Sequence, residues 1–249
     1  MIQQPLVSIT MSTYNVEKFI DESLDSIVNQ SLKDVEIICI DDGSTDRTLD
    51  IINEYASRDS RIKVISKKKN EGLAVARNEA LALASGKYIA FLDGDDLYHK
   101  DLFQKAYACA ETNNSDIVLW DYVTFWNTDE IDSKKEIKSD LLAISITDKI
   151  SLLRRPAFTW VKLLKTEVAK SLNIHFPVGL TRQDIPVHWH LITQLDKISI
   201  LPERLSYYRQ QPEATTAKKD KKLFHLAYVM DIVKQYLSEN KIYDKYKNE

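Results

Sequence analysis

The sequence predicts an α/β fold: a single compact domain with a mostly parallel central sheet flanked by helices. Three observations carry that prediction. Short runs rich in Val and Ile, the length of strands, recur through the first hundred residues. Between them lie stretches whose apolar residues repeat at helical spacing. Directly after each run comes a polar loop, as expected where parallel strands all present their carboxyl ends on one edge.

The strand runs are LVSITM (6–11), VEIICI (35–40), IKVIS (62–66) and YIAFL (88–92). Phe19, Ile20, Leu24, Ile27 and Val28 place a helix between the first two, and Leu49, Ile51, Ile52, Tyr55 and Ala56 place another after the second. LAVARNEALALASG (73–86) is alanine-rich and reads as a helix with Gly86 as its terminating glycine. Strand–helix repeats of this kind imply right-handed crossovers. The second half is less regular. It offers a strand at 116–126, a polar excursion or hairpin at 127–140, a helix at 147–155 and PAFTWVKLLK at 156–165. A loop then enters a helix near Asp184 to Pro186, followed by the strand-like KISILPERLSYYR and a last helix at 223–237, apolar at Leu223, Leu226, Ala227, Met230, Val233 and Leu237. No repeat or clean linker divides the chain. The expected organisation is a nucleotide-binding half (1–97), an acceptor and catalytic half (98–210) and a C-terminal helical extension (211–249).

Composition narrows the class. At 249 residues, 44% hydrophobic and 29% charged, the chain can bury a proper core. A net charge of −3 gives no bulk attraction to nucleic acid or to acidic lipid. The lysines at 67–69 and 218–222 form the basic runs, and both read as solvated. Cys39 and Cys109 make neither a disulfide framework nor a C-x-x-C pair, which fits a reducing compartment. With no leader-like N-terminus and no long apolar run, a cytoplasmic location is expected. Peripheral contact with the inner face of a membrane, or a homodimer, stays open for the 223–237 helix beside packing on its own core.

The loops carry the chemistry. They are STYN (12–15), DDGSTD (41–46), KKKNEG (67–72) and DGDD (93–96). Asp93, Asp95 and Asp96 gather three carboxylates at the mouth of a buried strand, where like charges are costly without a cation or donors. Magnesium or manganese takes one or two such carboxylates together with phosphate oxygens, and Gly94 relieves the turn. The plainer alternative is a solvated turn in which Asp96 or Asp101 caps the next helix. Ser44, Thr45 and Asp46 suit helix capping, leaving Asp42 to accept from a base N–H or sugar hydroxyls. Arg77, one turn into its helix, is either solvated or set to meet phosphate charge. Tyr14 is open between core packing and stacking on a base. Asp184 is either an N-cap ahead of Pro186 or a general base. His188 and His190 are two residues apart, diverge on a helix, and make no metal pair.

In order and spacing these pieces resemble the family 2 glycosyltransferases of the GT-A fold. The resemblance rests on VSITMSTYN, SIVNQSLKDVEIICIDDGSTDRT, NEGLAVARNEALALASGKYIAFLDGDD, TWVKLLK, FPVGLTRQDIPVHW and YYR, spread through residues 6–210. It implies a nucleotide-diphosphate sugar donor, with a UDP-sugar expected, and a saccharide or lipid-linked saccharide acceptor. By the same resemblance Ser12, Thr13, Tyr14 and Asp42 contact the nucleoside and Arg77 lies near the diphosphate. Asp93 lies near the ribose with Gly94 in the same loop, Asp95 holds Mn2+ or Mg2+, and Asp184 is the base. The sequence departs from the family at Ser12, where proline is common, and at Gln183, where glutamate is usual. The competing expectations are a sugar nucleotidyltransferase and a non-catalytic α/β scaffold.

Overall fold

The computed structural model describes residues 4–135, 139, 141, 145, 147–212 and 224–248. Its strands are β1 (Val7–Thr13), β2 (Val35–Asp41), β3 (Ile62–Ser66), β4 (Tyr88–Asp93), β5 (Leu97–Tyr98), β6 (Ile117–Phe125), β7 (Lys162–Lys165) and β8 (Ile198–Arg209). The helices are α1 (Ile20–Val28), α2 (Thr48–Arg58), α3 (Leu73–Leu83), α4 (Leu102–Asn113), α5 (Glu130–Lys135), α6 (Lys149–Leu153), α7 (Thr166–Ser171), α8 (Asp184–Gln194), α9 (His225–Glu239) and α10 (Tyr243–Tyr246).

The described strands form one sheet in the order β3-β2-β1-β4-β7-β6-β8-β5. The expected strand–helix repeats hold through β4, and β1 pairs in parallel with both β2 and β4. The other half is mixed: β7 runs antiparallel to both β4 and β6, and β5 antiparallel to β8. Because β7 is short, it pairs with β4 only at Tyr88 and Ile89. From Ala90 to Asp93, β4 has β1 on one side and, among the described residues, no ladder partner on the other. The sheet therefore splits at the carboxyl end of β4, the kind of crevice where open α/β sheets take ligands.

Period-two alternation builds a core on each face. Val7, Ile9, Met11, Val35, Ile37, Cys39, Ala90 and Leu92 pack with Ile20, Leu24 and Ile27 of α1 and Phe103 of α4. Ile89, Phe91, Ile117 and Leu119 pack on the other face with Ala74 and Leu81 of α3 and with Leu191 and Ile192 of α8. Val233 and Leu237 of α9 join this second core, so that helix does pack on its own chain. Its Leu223 and the 218–222 lysines lie outside the described residues, as does part of the expected 127–140 excursion, whose described portion contains α5.

Gly86 does not terminate α3. The helix ends at Leu83, with Ala84 as its cap. Gly86 instead runs against β1, where an added Cβ would meet the Ser8 main-chain nitrogen at 2.5 Å. That close approach belongs to a buried polar knot around Glu36. Its carboxylate accepts from Ser8 Oγ (2.5 Å), Ser85 N (2.7 Å), Ser85 Oγ (2.8 Å) and Lys63 Nζ (2.7 Å). Burial pushes this carboxyl up, but the donors from Lys63, Ser8 and Ser85 outweigh burial and hold it at about 2, below its ordinary 4.5. A depressed folded value contributes stability that is present above about pH 4.5 and lost as pH falls toward 2. Its size is on the order of 3 kcal/mol. Glu36→Gln is expected to cost about 2 kcal/mol at neutral pH and to flatten that acid limb, measured by urea denaturation from pH 7 to 2.5.

Candidate active site

The loops after β1, β2 and β4 meet on one edge, and hydrogen bonds lace the first two together. Asp42 N donates to Thr13 O (2.9 Å), Thr45 N to Asn15 Oδ1 (2.8 Å), and Asn15 N to Ser44 Oγ (3.0 Å). Asp46 receives Thr48 N at 3.0 Å and Glu17 N at 3.1 Å, so it is the local capping group of this loop. Thr13 is buried, and Tyr14 is 45% exposed at the rim, which removes the core-packing alternative for it. Ser12, half-buried, ends the β1–β4 ladder opposite Asp93.

Asp42 is deeply buried. Its carboxylate accepts from Gly72 N (2.7 Å) and Glu71 N (3.1 Å), the entrance to α3. Lys67 lies 3.6 Å from the Asp42 carboxylate and 3.2 Å from Glu79 with a side chain only 9% exposed, so the expectation of a solvated Lys67 is corrected. The neighbouring Asp41 receives Ser44 N on Oδ2, while its buried Oδ1 has no hydrogen-bond partner among the described groups.

Arg77 is not on a solvated helix face. It is 3% exposed and donates from Nη2 to Asp93 Oδ1 at 2.8 Å. Its guanidinium stands 5.6 Å from the Phe176 ring centroid, and its Nε is buried without a hydrogen-bond partner. Next to it, Asn78 clamps the segment leading to α8, giving Nδ2 to Phe176 O (2.9 Å) and taking Phe176 N on Oδ1 (2.8 Å).

The turn after β4 separates its carboxylates. Asp93 accepts from Arg77, and the Tyr98 hydroxyl receives its main-chain N–H at 3.0 Å. Gly94 does not need a positive φ. An added Cβ there would meet Thr13 Cγ2 at 2.6 Å, so the glycine serves the close approach of the two loops. Asp95 is half-buried, and its Oδ2 takes Gln211 Nε2 at 2.9 Å. Burial first, then the Asp93 charge, push the Asp95 carboxyl up to about 6. Asp96 caps no helix: it is buried and receives Arg209 N at 2.8 Å. Burial and the Asp95 and Asp93 charges raise its carboxyl well above the usual range. Asp101 precedes α4 without a side-chain capping bond.

Sequence reasoning gave no role to Arg209 or Gln211. Arg209 donates Nε to Asp95 O (2.8 Å) and Nη2 to Glu22 (2.6 Å), between the rings of Phe19 and Phe125. Its only sequence signal was its place at the end of the YYR strand.

Asp184 is the first residue of α8 rather than its cap; Gln183 holds the cap position with no side-chain bond. Lys162 opens β7 at the split in the sheet. It is 5% exposed and donates Nζ to the carbonyls of Ala157 (3.1 Å) and Phe158. Burial drives the Lys162 amine down to about 7; the Asp184 charge opposes that shift and the Arg77 charge adds to it. One turn along α8, buried His188 donates from Nε2 to Leu152 O (3.1 Å). Burial, aided by the Lys162 charge, takes His188 down to about 3. His190 instead lies against Tyr236, 4.6 Å between centroids.

Among the described residues no three His, Cys, Asp or Glu side chains converge on one point. Magnesium and manganese sites completed by phosphate oxygens need only one or two protein carboxylates. Asp95, half-buried and with a carboxyl that burial and the Asp93 charge push up despite the nearby Arg209, fits that requirement, since a cation would offset both costs. Among the described residues, no helix is long and apolar enough to cross a membrane.

Known proteins resemble the chain in sequence and in fold. The chain is 33% identical over 219 residues to the uncharacterized glycosyltransferase EpsJ of Bacillus subtilis (strain 168), covering 85% of this chain and 63% of EpsJ. Its fold matches S. aureus TarS 1-349, solved with UDP-GlcNAc, at TM-score 0.75 and 23% identity, over 92% of this chain and 66% of that one. It also matches the mannosyltransferase PcManGT of Pyrobaculum calidifontis, solved with GDP-Man and Mn2+, at TM-score 0.66 and 18% identity, over 97% and 70%. The chain thus spans a little under two thirds of EpsJ and of TarS 1-349. The model of the family described as Glycosyl transferase family 2 matches residues 8–155, more than half of the sequence, and the chain belongs to that family.

Proposed function

We propose that the chain moves a sugar, with inversion, from a nucleotide-diphosphate sugar to a hydroxyl of a saccharide or glycolipid acceptor, with the help of a divalent cation. The observation that carries this reading is the placement of Arg77. A buried guanidinium is held to Asp93 in the carboxylate turn after β4, its Nε has no hydrogen-bond partner among the described residues, and its charge acts with that of Asp184 on Lys162. Buried donors left unpaired are costly, and diphosphate oxygens satisfy them with a charge-assisted bond.

The residues divide the work. Ser12, Thr13, Tyr14 and the Asp41–Asp42 loop form the nucleoside rim; Tyr14 offers an exposed ring face for stacking. The Asp42 contacts with Glu71 and Gly72 make its part in that rim the holding of the α3 entrance. Asp93, with Gly94 giving close access, faces the ribose. Asp95 and the diphosphate oxygens would hold Mn2+ or Mg2+, which supplies several kcal/mol of charge stabilisation to a departing diphosphate. Asp184 takes the acceptor hydroxyl proton as the acceptor oxygen bonds to the anomeric carbon. The bond from that carbon to the β-phosphate oxygen breaks, its electron pair leaves with the nucleoside diphosphate, and Arg77 faces the new charge.

The test is a panel of nucleoside diphosphates, with and without manganese. At about 100 times Kd the bound form gains roughly 2.7 kcal/mol, a rise in Tm of about 5–10 °C for a chain this size. Release of nucleoside diphosphate from a sugar nucleotide supports the reading. Pyrophosphate release points instead to a nucleotidyltransferase, and no nucleotide-dependent shift points to a scaffold.

A further inference from the structure

We infer that Lys162 is a positioning residue of the transfer reaction: its buried ammonium fastens the 157–161 segment and serves as counter-charge to Asp184 across the split in the sheet. The inference rests on the proposed role of Asp184 as base. Three observations support it. First, the β4–β7 register places Lys165 opposite Tyr88 and Leu164 opposite Ile89. Lys162 therefore sits at the end of β7 nearest the open carboxyl end of β4. Second, its side chain bonds not to a neighbouring carboxylate but to the carbonyls of Ala157 and Phe158. Those carbonyls belong to the turn before Thr159–Val161, whose Phe158 and Trp160 rings stack at 4.6 Å. Third, Lys162 lines one small cavity with His188, which stands one turn along α8 from Asp184, and the charges of Asp184 and of Arg77 on α3 both reach it.

A buried lysine without a carboxylate in contact is costly, and a methionine would fill the same space without that cost. What an ammonium adds here is reach: N–H donors for the turn and a positive field at Asp184. The groups facing it are Asp184 and His188 from α8, Arg77 from α3, and Tyr122 of β6 and Arg155, which line the same small cavity as Lys162 and His188; burial raises the Tyr122 hydroxyl, so it stays neutral near pH 7. His188 is held neutral by burial, so it contributes no charge near neutral pH. Loss of the Lys162 proton near pH 7 removes one donor and the positive field together. This window cannot reflect general unfolding. The folded value lies below the ordinary 10.5, so from about 7 upward the unfolded chain binds more protons and this group's contribution to stability rises with pH.

The experiment compares wild type, Lys162→Arg and Lys162→Met, with two readouts. In kinetics, Lys162→Met is expected to lower kcat about 10- to 100-fold while nucleotide affinity stays within about 2-fold. The wild-type rate falls as pH rises through about 7, and Lys162→Arg keeps the rate but loses that limb. In hydrogen exchange without substrate, the 157–161 segment loses protection in Lys162→Met. The wild type shows a smaller loss as pH rises, after correction for intrinsic exchange, because the neutral amine keeps two of three N–H donors, and Lys162→Arg shows none. Equal rates and equal pH profiles in all three proteins overturn the inference while leaving the transferase reading intact. A wild type that transfers no sugar defeats the transferase reading, and the exchange readout still decides whether Lys162 fastens the turn: unchanged protection in Lys162→Met overturns it.

Discussion

Asp95→Ala is expected to fold normally and to lose sugar transfer by about 10²- to 10³-fold or more, the range for a charge-stabilising group worth several kcal/mol. The two halves of that expectation have separate causes. Asp95 uses its main-chain oxygen, not its carboxylate, to receive Arg209, and that bond survives the substitution. Its carboxylate has Gln211 as a hydrogen-bond partner and is disfavoured by burial and by the Asp93 charge. Removing it relieves like-charge repulsion, so the denaturation midpoint should hold or rise slightly. Losing function while keeping stability is the signature of a group retained for a ligand. Calorimetric titration of manganese in the presence of the nucleoside diphosphate gives a direct readout. The wild type should bind the pair cooperatively, and Asp95→Ala should bind the nucleotide with little manganese dependence. Wild-type turnover in the variant would remove the cation from the Asp95 carboxylate.

The first hundred residues were legible because their signals are local. Ile9, Ile37 and Ala90 alternate with residues on the other face, and each strand ends in a polar loop, so period and punctuation agree. Gly86 and Gly94 misled because a glycine signals conformational freedom in sequence. Here each answers to close approach by another strand or loop, Ser8 in one case and Thr13 in the other. Lys67 read as solvated because a basic run usually is; its Asp42 and Glu79 partners come from β2's loop and from α3. The mixed second half was illegible for the same reason. β7 is four residues long, and its direction is set by pairing with β4 and β6 rather than by its own pattern. Arg209 and Gln211 reach Asp95 over more than a hundred residues of sequence, and Lys162 turns back to the carbonyls of Ala157 and Phe158. TWVKLLK and YYR were visible, but the partners of their Lys162 and Arg209 were not.

Asp184→Asn should separate the acceptor side of the reaction from the donor side. The substitution preserves shape at the first position of α8 and costs that helix about 0.3–1 kcal/mol of favourable dipole interaction. The proposed nucleotide rim lies on β1, β2, α3 and β4 rather than on α8, so affinity for nucleoside diphosphate and manganese should match wild type. Transfer should fall about 10²- to 10⁴-fold, the contribution of a positioned base, with the loss in kcat rather than in the donor KM. Asp95→Ala weakens the hold on the departing diphosphate, so it should lower transfer to an acceptor and hydrolysis of the donor by water alike. Asp184→Asn should lower both too, unless the acceptor is already ionised: a hydroxyl replaced by a thiol of lower pKa needs less help from a base. Such an acceptor should restore rate to Asp184→Asn and leave Asp95→Ala impaired. If the thiol rescues neither variant, or if Asp184→Asn turns over normally with the ordinary alcohol, proton removal belongs to another group.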